Sequence, residues 1–192
     1  MSDKKVLTLW RDEEINEEDV RILRTPCREL PAPLSPEGKK HIRTLVDAFL
    51  ARDDASGLAA PQIGISHRIV VFRNKGFDDK SVWTKSESDY DVLINPRITQ
   101  RRGEKVTMSE GCLSCPDIQV EVSRFPEIKV RALDANGCKI SKRYTDYLAR
   151  VVQHELDHLD GKLIVDYDDG SVYFPKKKQR FFERLFTNRV PD

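Results

Sequence analysis

The stretch that decides the fold is Gln153-His154-Glu155-Leu156-Asp157-His158-Leu159-Asp160-Gly161. It contains His-Glu-x-x-His, and residues four apart on an α-helix lie roughly 40° apart around its axis, one turn up. His154 and His158 can therefore direct their imidazoles at one metal ion. Glu155, beside the first ligand, can reach a water on that metal without binding the metal itself.

The residues around this motif predict the helix that carries it. Thr145 or Asp146 can supply the N-cap, and Gly161 is placed to end the helix in a left-handed conformation. Apolar side chains recur at helical spacing at Leu148, Val151, Val152, Leu156 and Leu159. Because they cover much of its surface, we expect this helix to be buried in the middle of the fold.

Length and composition indicate a single globular domain over residues 1–192. Charged residues make up 34% of the chain but the net charge is only +1, which gives no global case for a nucleic acid partner. No apolar run reaches the roughly 18 residues that a membrane span needs. The charged N-terminus lacks a signal-peptide core, and four cysteines without a secretory signal favour thiols. We therefore expect a cytoplasmic protein with no membrane or secreted partner.

Helices and antiparallel strands precede and follow the metal-binding helix. Val20, Ile22 and Leu23 indicate a short N-terminal segment, and Ser35 with Pro36 begins a helix. Strands are predicted at 68–72, 92–94 (with a turn at 95–96), 118–122, 128–132, 139–144 and 163–165. Loops are predicted at 57–64 and 74–90, a hairpin turn at 134–137, and a final helix at 175–187.

The final helix carries two kinds of side chain. One face is apolar and is formed by Phe181, Phe182, Leu185 and Phe186. The basic residues are Lys176, Lys177, Lys178, Arg180 and Arg184. An amphipathic helix that packs on the domain and keeps its charged face in solvent is the favoured interpretation of this pattern.

A catalytic site of this kind needs three protein ligands and an open position, so a third ligand has to come from elsewhere. Cys112 and Cys115, in Glu110-Gly111-Cys112-Leu113-Ser114-Cys115-Pro116, offer it. One cysteine with the two histidines is favoured over a closed Cys₂His₂ structural site. A redox pair is less favoured, because no thioredoxin-like context surrounds it. Gln62, polar within an apolar run, either finds buried partners or donates to a ligand.

Three segments together resemble the peptide deformylase family. They are Gly57-Leu58-Ala59-Ala60-Pro61-Gln62, Glu110-Gly111-Cys112-Leu113-Ser114 and the stretch from Gln153 to Gly161. They occur in the family's order, and a looser match runs from about Val20 to Phe186. The resemblance implies an α+β fold, with antiparallel sheets surrounding a central metal-binding helix, an N-terminal helix and a C-terminal helix.

The resemblance also implies an activity and a set of site residues. The activity is hydrolysis of the N-formyl group from N-formylmethionyl nascent peptides, with release of formate. The metal is Fe(II), with zinc, nickel or cobalt able to occupy the site. The ligands are Cys112, His154 and His158, the general acid/base is Glu155, and the oxyanion donors are Gln62 and the Leu113 N–H. Ser56, Gly57 and Gly111 would lie along the substrate backbone, Val151 would line the methionine pocket, and the ribosome is a possible partner through the basic C-terminal helix.

Two positions depart from the family's pattern. Ala55 stands where the family usually has glycine, and Cys115 where an aliphatic residue is commoner. A small core residue is the favoured interpretation of Cys115, and a spare thiol near the metal is the alternative. Two other functions stay open: a metallopeptidase with a downstream Glu or Asp as third ligand, and a non-catalytic module stapled by metal through both cysteines.

Overall fold

A computed structural model describes residues 5–77, 82–167 and 171–187. The helices are α1 (Glu17–Leu23), α2 (Pro36–Leu50), α3 (Asp146–Leu159) and α4 (Gln179–Thr187). The strands are β1 (Trp10–Arg11), β2 (Glu14–Ile15), β3 (Gly57–Ala59), β4 (Ile69–Arg73), β5 (Tyr90–Arg102), β6 (Val106–Cys112), β7 (Cys115–Arg124), β8 (Glu127–Leu133), β9 (Lys139–Thr145) and β10 (Val172–Tyr173). Short 3-10 helices lie at Ala60–Ile63, Glu87–Asp89, Ile164–Asp166 and Lys176–Lys178.

Two antiparallel sheets enclose α3. The larger sheet has the strand order β3-β4-β5-β8-β9, and the smaller has the order β10-β7-β6. One hydrophobic cluster joins α3 to the larger sheet, a second lies under α2, and a third joins the smaller sheet to α4. Nine of the fourteen residues of α3 are buried. The predicted α+β architecture around a central helix is therefore confirmed.

The predicted ends of the two long helices are confirmed. Ser35 caps α2, and its side chain accepts a hydrogen bond from the Gly38 N–H at 3.1 Å. Thr145 is the N-cap residue of α3. Gly161, just past α3, has φ of 72°, and a Cβ there would lie 2.4 Å from the Arg24 carbonyl oxygen. Glycine is therefore required at this position by both conformation and space.

The predicted turn at residues 95–96 is wrong, because β5 continues through it. The strand bulges between Ile94 and Arg97, where Asn95 takes a φ of 52°. The Asn95 side chain donates to the Leu30 carbonyl at 2.9 Å and accepts from the Leu30 N–H at 2.8 Å. The Asn95 side chain thus makes the pair of hydrogen bonds that the backbone of a neighbouring strand would make. Asn95-Pro96 therefore forms a bulge within β5 and does not reverse the chain.

The strand predicted at 163–165 is also wrong. The chain forms a 3-10 turn at Ile164–Asp166, and the Asp166 carboxylate accepts a hydrogen bond from the Leu163 N–H at 2.7 Å. This local bond overrides the β propensity of Leu-Ile-Val.

Three further segments refine the sequence predictions. The loop at 57–64 contains β3 and a 3-10 turn, and α4 is preceded by its own 3-10 turn at Lys176–Lys178. The surface loop at 74–90 includes a 3-10 turn at Glu87–Asp89, and its residues 78–81 lie outside the described part. Among the described helices, none has the length and apolar character needed to cross a membrane.

Candidate metal centre

Two imidazoles on α3 lie close together, as the i,i+4 spacing predicts. The ring centroids of His154 and His158 are 5.2 Å apart, and the rings are inclined at 72°. His158 is 1% exposed, and His154 is partly exposed. Because both side chains project from one buried helix, the backbone of α3 fixes their separation.

Cys112 adds a thiol from a different element. It is the last residue of β6, where the smaller sheet approaches α3, and its Sγ lies 3.3 Å from the Nε2 of His158. The donor atoms of Cys112, His154 and His158 all lie within 4.8 Å of one another. Tetrahedral ligands at ordinary metal–sulfur and metal–nitrogen distances are about 3.3–3.6 Å apart. The three residues therefore fit a late first-row divalent metal by donor chemistry and by spacing.

Glu110 fixes the orientation of His154. Its Oε2 lies 2.9 Å from the His154 Nδ1, and the carboxylate also accepts two hydrogen bonds from Arg124, at 2.6 and 2.8 Å. Arg150 donates a further hydrogen bond at 2.7 Å. Burial alone would raise the pKa of Glu110, but the bonds from His154 and Arg124 outweigh it and lower the pKa to about 2. A carboxylate on Nδ1 leaves Nε2 of His154 as the ligand atom.

Arg124 also connects the Glu110 carboxylate to α3. The Nη1 of Arg124 donates to the Asp157 carboxylate at 2.8 Å, and the Tyr167 hydroxyl donates to the same oxygen at 2.7 Å. Arg124 is 4% exposed, so its charge is compensated inside the protein. The sequence analysis assigned no role to Glu110, Arg124, Arg150 or Asp157. The only signal in the sequence was the position of Glu110 within the segment that precedes the cysteine.

Glu155 is a buried carboxyl beside the two imidazoles. It is 4% exposed, and burial raises its pKa to about 7, while His154 and His158 oppose that rise. Within the described part of the chain its Oε2 has no hydrogen-bond partner. A buried carboxyl with a free oxygen and a pKa near neutrality is suited to exchange protons with a ligand.

Gln62 is held in one orientation by its neighbours. Its Oε1 accepts a hydrogen bond from the Ala59 N–H at 2.9 Å, and its Nε2 donates to the Ser114 hydroxyl at 3.1 Å. The side chain is 2% exposed. An amide nitrogen carries two N–H donors, so the Ser114 contact leaves one for a ligand. The contacts of Gln62 are thus compatible with both interpretations made from the sequence, namely that it finds buried partners and that it donates to a ligand.

A cavity of about 400 Å³ joins these groups. Nine of the ten predicted site residues line it: Ser56, Gly57, Gln62, Gly111, Cys112, Leu113, Val151, His154 and Glu155. The tenth, His158, lies behind the Cys112 thiol. The fold therefore brings all ten residues together, from four separate segments of the chain. Their individual roles stay predictions.

Cys115 lies next to this group but does not belong to it. It is fully buried, and it faces Cys112 across the turn between β6 and β7. Among the residues that the structure describes, the set able to hold a metal comprises Cys112, His154 and His158 without Cys115. This geometry favours a site with three protein ligands over a closed Cys₂His₂ site.

Known proteins resemble this chain in sequence and in fold. The model of the polypeptide deformylase family matches residues 13–172. A peptide deformylase of Rickettsia prowazekii is 44% identical over 115 residues, 59% of this chain and 64% of the relative. One from Pseudothermotoga lettingae is 38% identical over 138 residues, 72% of each chain. The crystal structure of a probable peptide deformylase from Synechococcus phage S-SSM7 has a TM-score of 0.66 at 34% identity, covering 85% of this chain and 98% of that one. The match thus spans just under two thirds of the Rickettsia protein's length.

Proposed function

The chain belongs to the polypeptide deformylase family, and from that premise we propose that it hydrolyses the N-formyl group of N-formylmethionyl nascent peptides and releases formate. One observation carries the proposal: three metal-binding donors converge at a cavity that also contains a buried carboxyl with a free oxygen. That combination is what hydrolysis of an unactivated amide requires, namely an electrophilic site and a proton carrier beside it.

Cys112, His154 and His158 would hold one metal ion, with Fe(II) as the physiological metal and zinc, nickel or cobalt as substitutes. When bound, the metal would supply Lewis acidity, which makes a water molecule at the site more acidic and polarises the formyl oxygen. A thiolate donates more charge than a third imidazole or a carboxylate would. A metal held by Cys112 would therefore be a softer Lewis acid than the metal of typical zinc peptidases.

Glu155 would carry the proton through the reaction. Its carboxylate accepts a proton from the attacking water, and the resulting acid returns it to the α-amine as the formyl carbon–nitrogen bond breaks. The free Oε2 and the raised pKa of Glu155 support both halves of this transfer, since a carboxyl with a pKa near neutrality both accepts and releases protons there.

Gln62 and the backbone N–H of Leu113 would stabilise the negative charge that gathers on the formyl oxygen. The Gln62 amide is preorganised by the Ala59 N–H and the Ser114 hydroxyl, so it need not reorient during the reaction. Losing one such donor typically costs about 2.7–4 kcal/mol of transition-state stabilisation. Ser56, Gly57 and Gly111 would lie along the peptide backbone, and Val151 would contact the methionine side chain.

The deciding experiment is an assay for formate release. The substrate is a formyl-Met tripeptide, and the protein is purified without oxygen and loaded with Fe(II). We expect rapid turnover, with little release of the free α-amine from the same peptide once the formyl group is replaced by a bulkier acyl group. Absence of formate from folded, metal-loaded protein would contradict the proposed function.

For the partner and the location, we propose a bacterial-type cytoplasmic setting in which the chain meets nascent peptides at the ribosome. Lys176, Lys177, Arg180 and Arg184 are exposed, whereas Lys178 is paired with Asp117 at 2.7 Å. The exposed four are therefore free to contact rRNA phosphates.

Deleting the helix would also remove Phe181 and Phe182 from the core. A cleaner test replaces Lys176 and Lys177 with Gln, with Lys178→Gln as the matched control.

In that test we expect weaker ribosome co-sedimentation for the double variant, together with a shallower dependence on salt concentration. The Lys178→Gln control should bind almost as the wild type does. Equal binding by all three proteins at every salt concentration would exclude Lys176 and Lys177 as ribosome contacts.

A further inference from the structure

Cys112 and Cys115 occupy the two ends of the turn that joins β6 to β7. They are Cα partners in the register of the two strands, and both line the cavity that contains the candidate metal ligands. The proposed function uses Cys112 alone and gives Cys115 no task. An alanine or valine would fill the same core position without placing a second thiol against a metal ligand.

We propose that Cys115 is a resolving thiol, which captures oxidised Cys112 as a disulfide and so makes oxidative loss of the metal ligand reversible. The oxidant is a peroxide and the reductant is a dithiol. The inference rests on the pairing of the two cysteines across the β6–β7 turn and holds whichever amide the site hydrolyses.

The backbone of the turn permits the bond. Opposite residues of an antiparallel pair have Cα atoms about 4.5–5.5 Å apart. Native disulfides span Cα separations of about 4.4–6.8 Å. Because the two residues already face each other across the turn, the disulfide needs side-chain rotation and no unfolding of the sheet.

Exposure sets the order of the steps. Both cysteines line the cavity, but Cys112 is partly exposed whereas Cys115 has no exposed surface. Peroxide therefore reaches Cys112 first. The Cys112 thiolate attacks one peroxide oxygen, the O–O bond breaks, a sulfenic acid forms and hydroxide leaves, becoming water with a proton from solvent.

Cys115 completes the reaction. Its sulfur attacks the Cys112 sulfur, the S–O bond breaks, and the departing oxygen takes the Cys115 proton and leaves as water. Two thiols are thereby oxidised by two electrons and one hydrogen peroxide is reduced to two waters. A dithiol entering the cavity later attacks the Cys112 sulfur and regenerates both thiols while it is itself oxidised to a disulfide.

Without Cys115 the sulfenic acid has a different fate. Further peroxide converts it to sulfinic and then sulfonic acid, which thiols do not reduce. Cys27 is buried in the hydrophobic cluster between α3 and the larger sheet, and Cys138 is exposed in the turn before β9, so both lie apart from the Cys112 turn. The resolving role thus belongs to Cys115 alone among the described cysteines.

The test treats the full-length protein with hydrogen peroxide, both zinc-loaded and after removal of the metal by a chelator. Trypsin cuts after Lys105 and Arg124, so the fragment of residues 106–124 carries both cysteines. In the wild type we expect the two cysteines of this fragment to lose about 2 Da together, to be closed to alkylation, and to regain that mass with dithiothreitol; oxidation of the exposed Met108, which adds about 16 Da, is counted separately. Released zinc, read with a chromogenic chelator, should rebind after reduction, and bound zinc should slow the oxidation.

Cys115→Val and Cys115→Ser are the test variants, and either one that folds is sufficient. In these we expect Cys112 to gain about 32 or 48 Da, with no recovery on reduction. Cys138→Ser is the matched control and should behave as the wild type does. Two results would overturn the proposal: wild-type Cys112 overoxidised while Cys115 remains open to alkylation, or a folded Cys115 variant that recovers fully with dithiothreitol.

Discussion

The backbone of Gly57 packs directly against the Glu155 carboxyl. A Cβ at position 57 would lie 2.4 Å from Oε1 and 2.7 Å from the carboxyl carbon. The Glu155 carboxyl can therefore occupy this position because Gly57 of β3 has no side chain. This contact links the glycine of one predicted motif to the acid/base of another, although the two residues lie far apart in the sequence.

Gly57→Ala should displace Glu155 and leave the metal ligands in place. A displacement of about 1 Å of a catalytic group can cost about 100-fold in rate, so we expect a loss of that order in kcat. Metal content should stay near one ion per chain. The matched control for folding and metal content is Gly111→Ala, because a Cβ at Gly111 meets no atom within 4 Å. Wild-type kcat in a folded Gly57→Ala protein would show that the position of Glu155 is not limiting.

Glu155→Gln removes the proton carrier and keeps the size of the side chain. We expect formate release to fall by at least about 100-fold, the lower range of what general acid–base catalysis contributes. Metal analysis of the same sample should still give about one ion per chain, because Glu155 is not a ligand. Turnover close to that of the wild type would contradict the acid/base assignment.

Cys112→Ala separates the proposed site from its two rivals. We expect metal binding to be lost with the thiolate, whereas a metallopeptidase using a downstream Glu or Asp as third ligand would tolerate the change. A closed Cys₂His₂ site would instead also lose its metal in Cys115→Ala. Metal analysis of both variants, with Cys138→Ala as control, distinguishes the three arrangements. Retention of metal by Cys112→Ala would disprove the proposed ligand set.

The features of the fold and site that a local pattern of residues encodes could be predicted from the sequence. The features that depend on contacts between distant segments could not. The helical spacing of the apolar residues of α3 and its capping residues lie within one continuous stretch of sequence. The helix and the metal-binding side chains on it could therefore be predicted directly. Strand β6 was not predicted, because its apolar Val106 and Met108 are exposed and its one buried residue is the charged Glu110. The pairing of Glu110 with Arg124 joins two strands, and a single sequence does not reveal that these charges are buried.

Glu110→Gln tests that missed pairing. The change removes the charge that faces Arg124, Arg150 and His154, and it leaves His154 without a carboxylate partner. Loss of such an outer partner typically lowers metal affinity by about 10–100-fold. Competition with a chelator of known affinity gives the value. Glu104→Gln, an exposed carboxylate in the turn before β6, is the control and should bind metal as the wild type does. Equal affinity in the two variants would remove Glu110 from the metal site.

Asp89 makes the stability of the fold depend on pH at a place remote from the metal. Its side chain is 1% exposed and pairs with Lys75 at 2.5 Å. The carboxylate also accepts hydrogen bonds from the Thr84 N–H and hydroxyl, at 2.7 and 2.6 Å. The bond to Lys75 and then those to Thr84 hold the pKa of Asp89 far below its usual value. Near pH 4 the folded chain therefore binds fewer protons at this group than the unfolded chain does.

It follows that the stabilisation from Asp89 is fully present above the unfolded-state pKa of about 3.9 and is lost as the pH falls toward the folded-state pKa. In Asp89→Asn the amide N–H groups would face donors, so we expect a lower Tm than that of the wild type at pH 7. The gap in Tm should narrow steadily below about pH 4, because the wild type alone loses this contribution there. Thermal unfolding followed by circular dichroism between pH 7 and pH 3 measures the difference in Tm. The control is Asp12→Asn, in the exposed turn between β1 and β2, which should change Tm little. A gap that stays constant over this range would mean that the Asp89 carboxylate is not what holds this segment to the sheet.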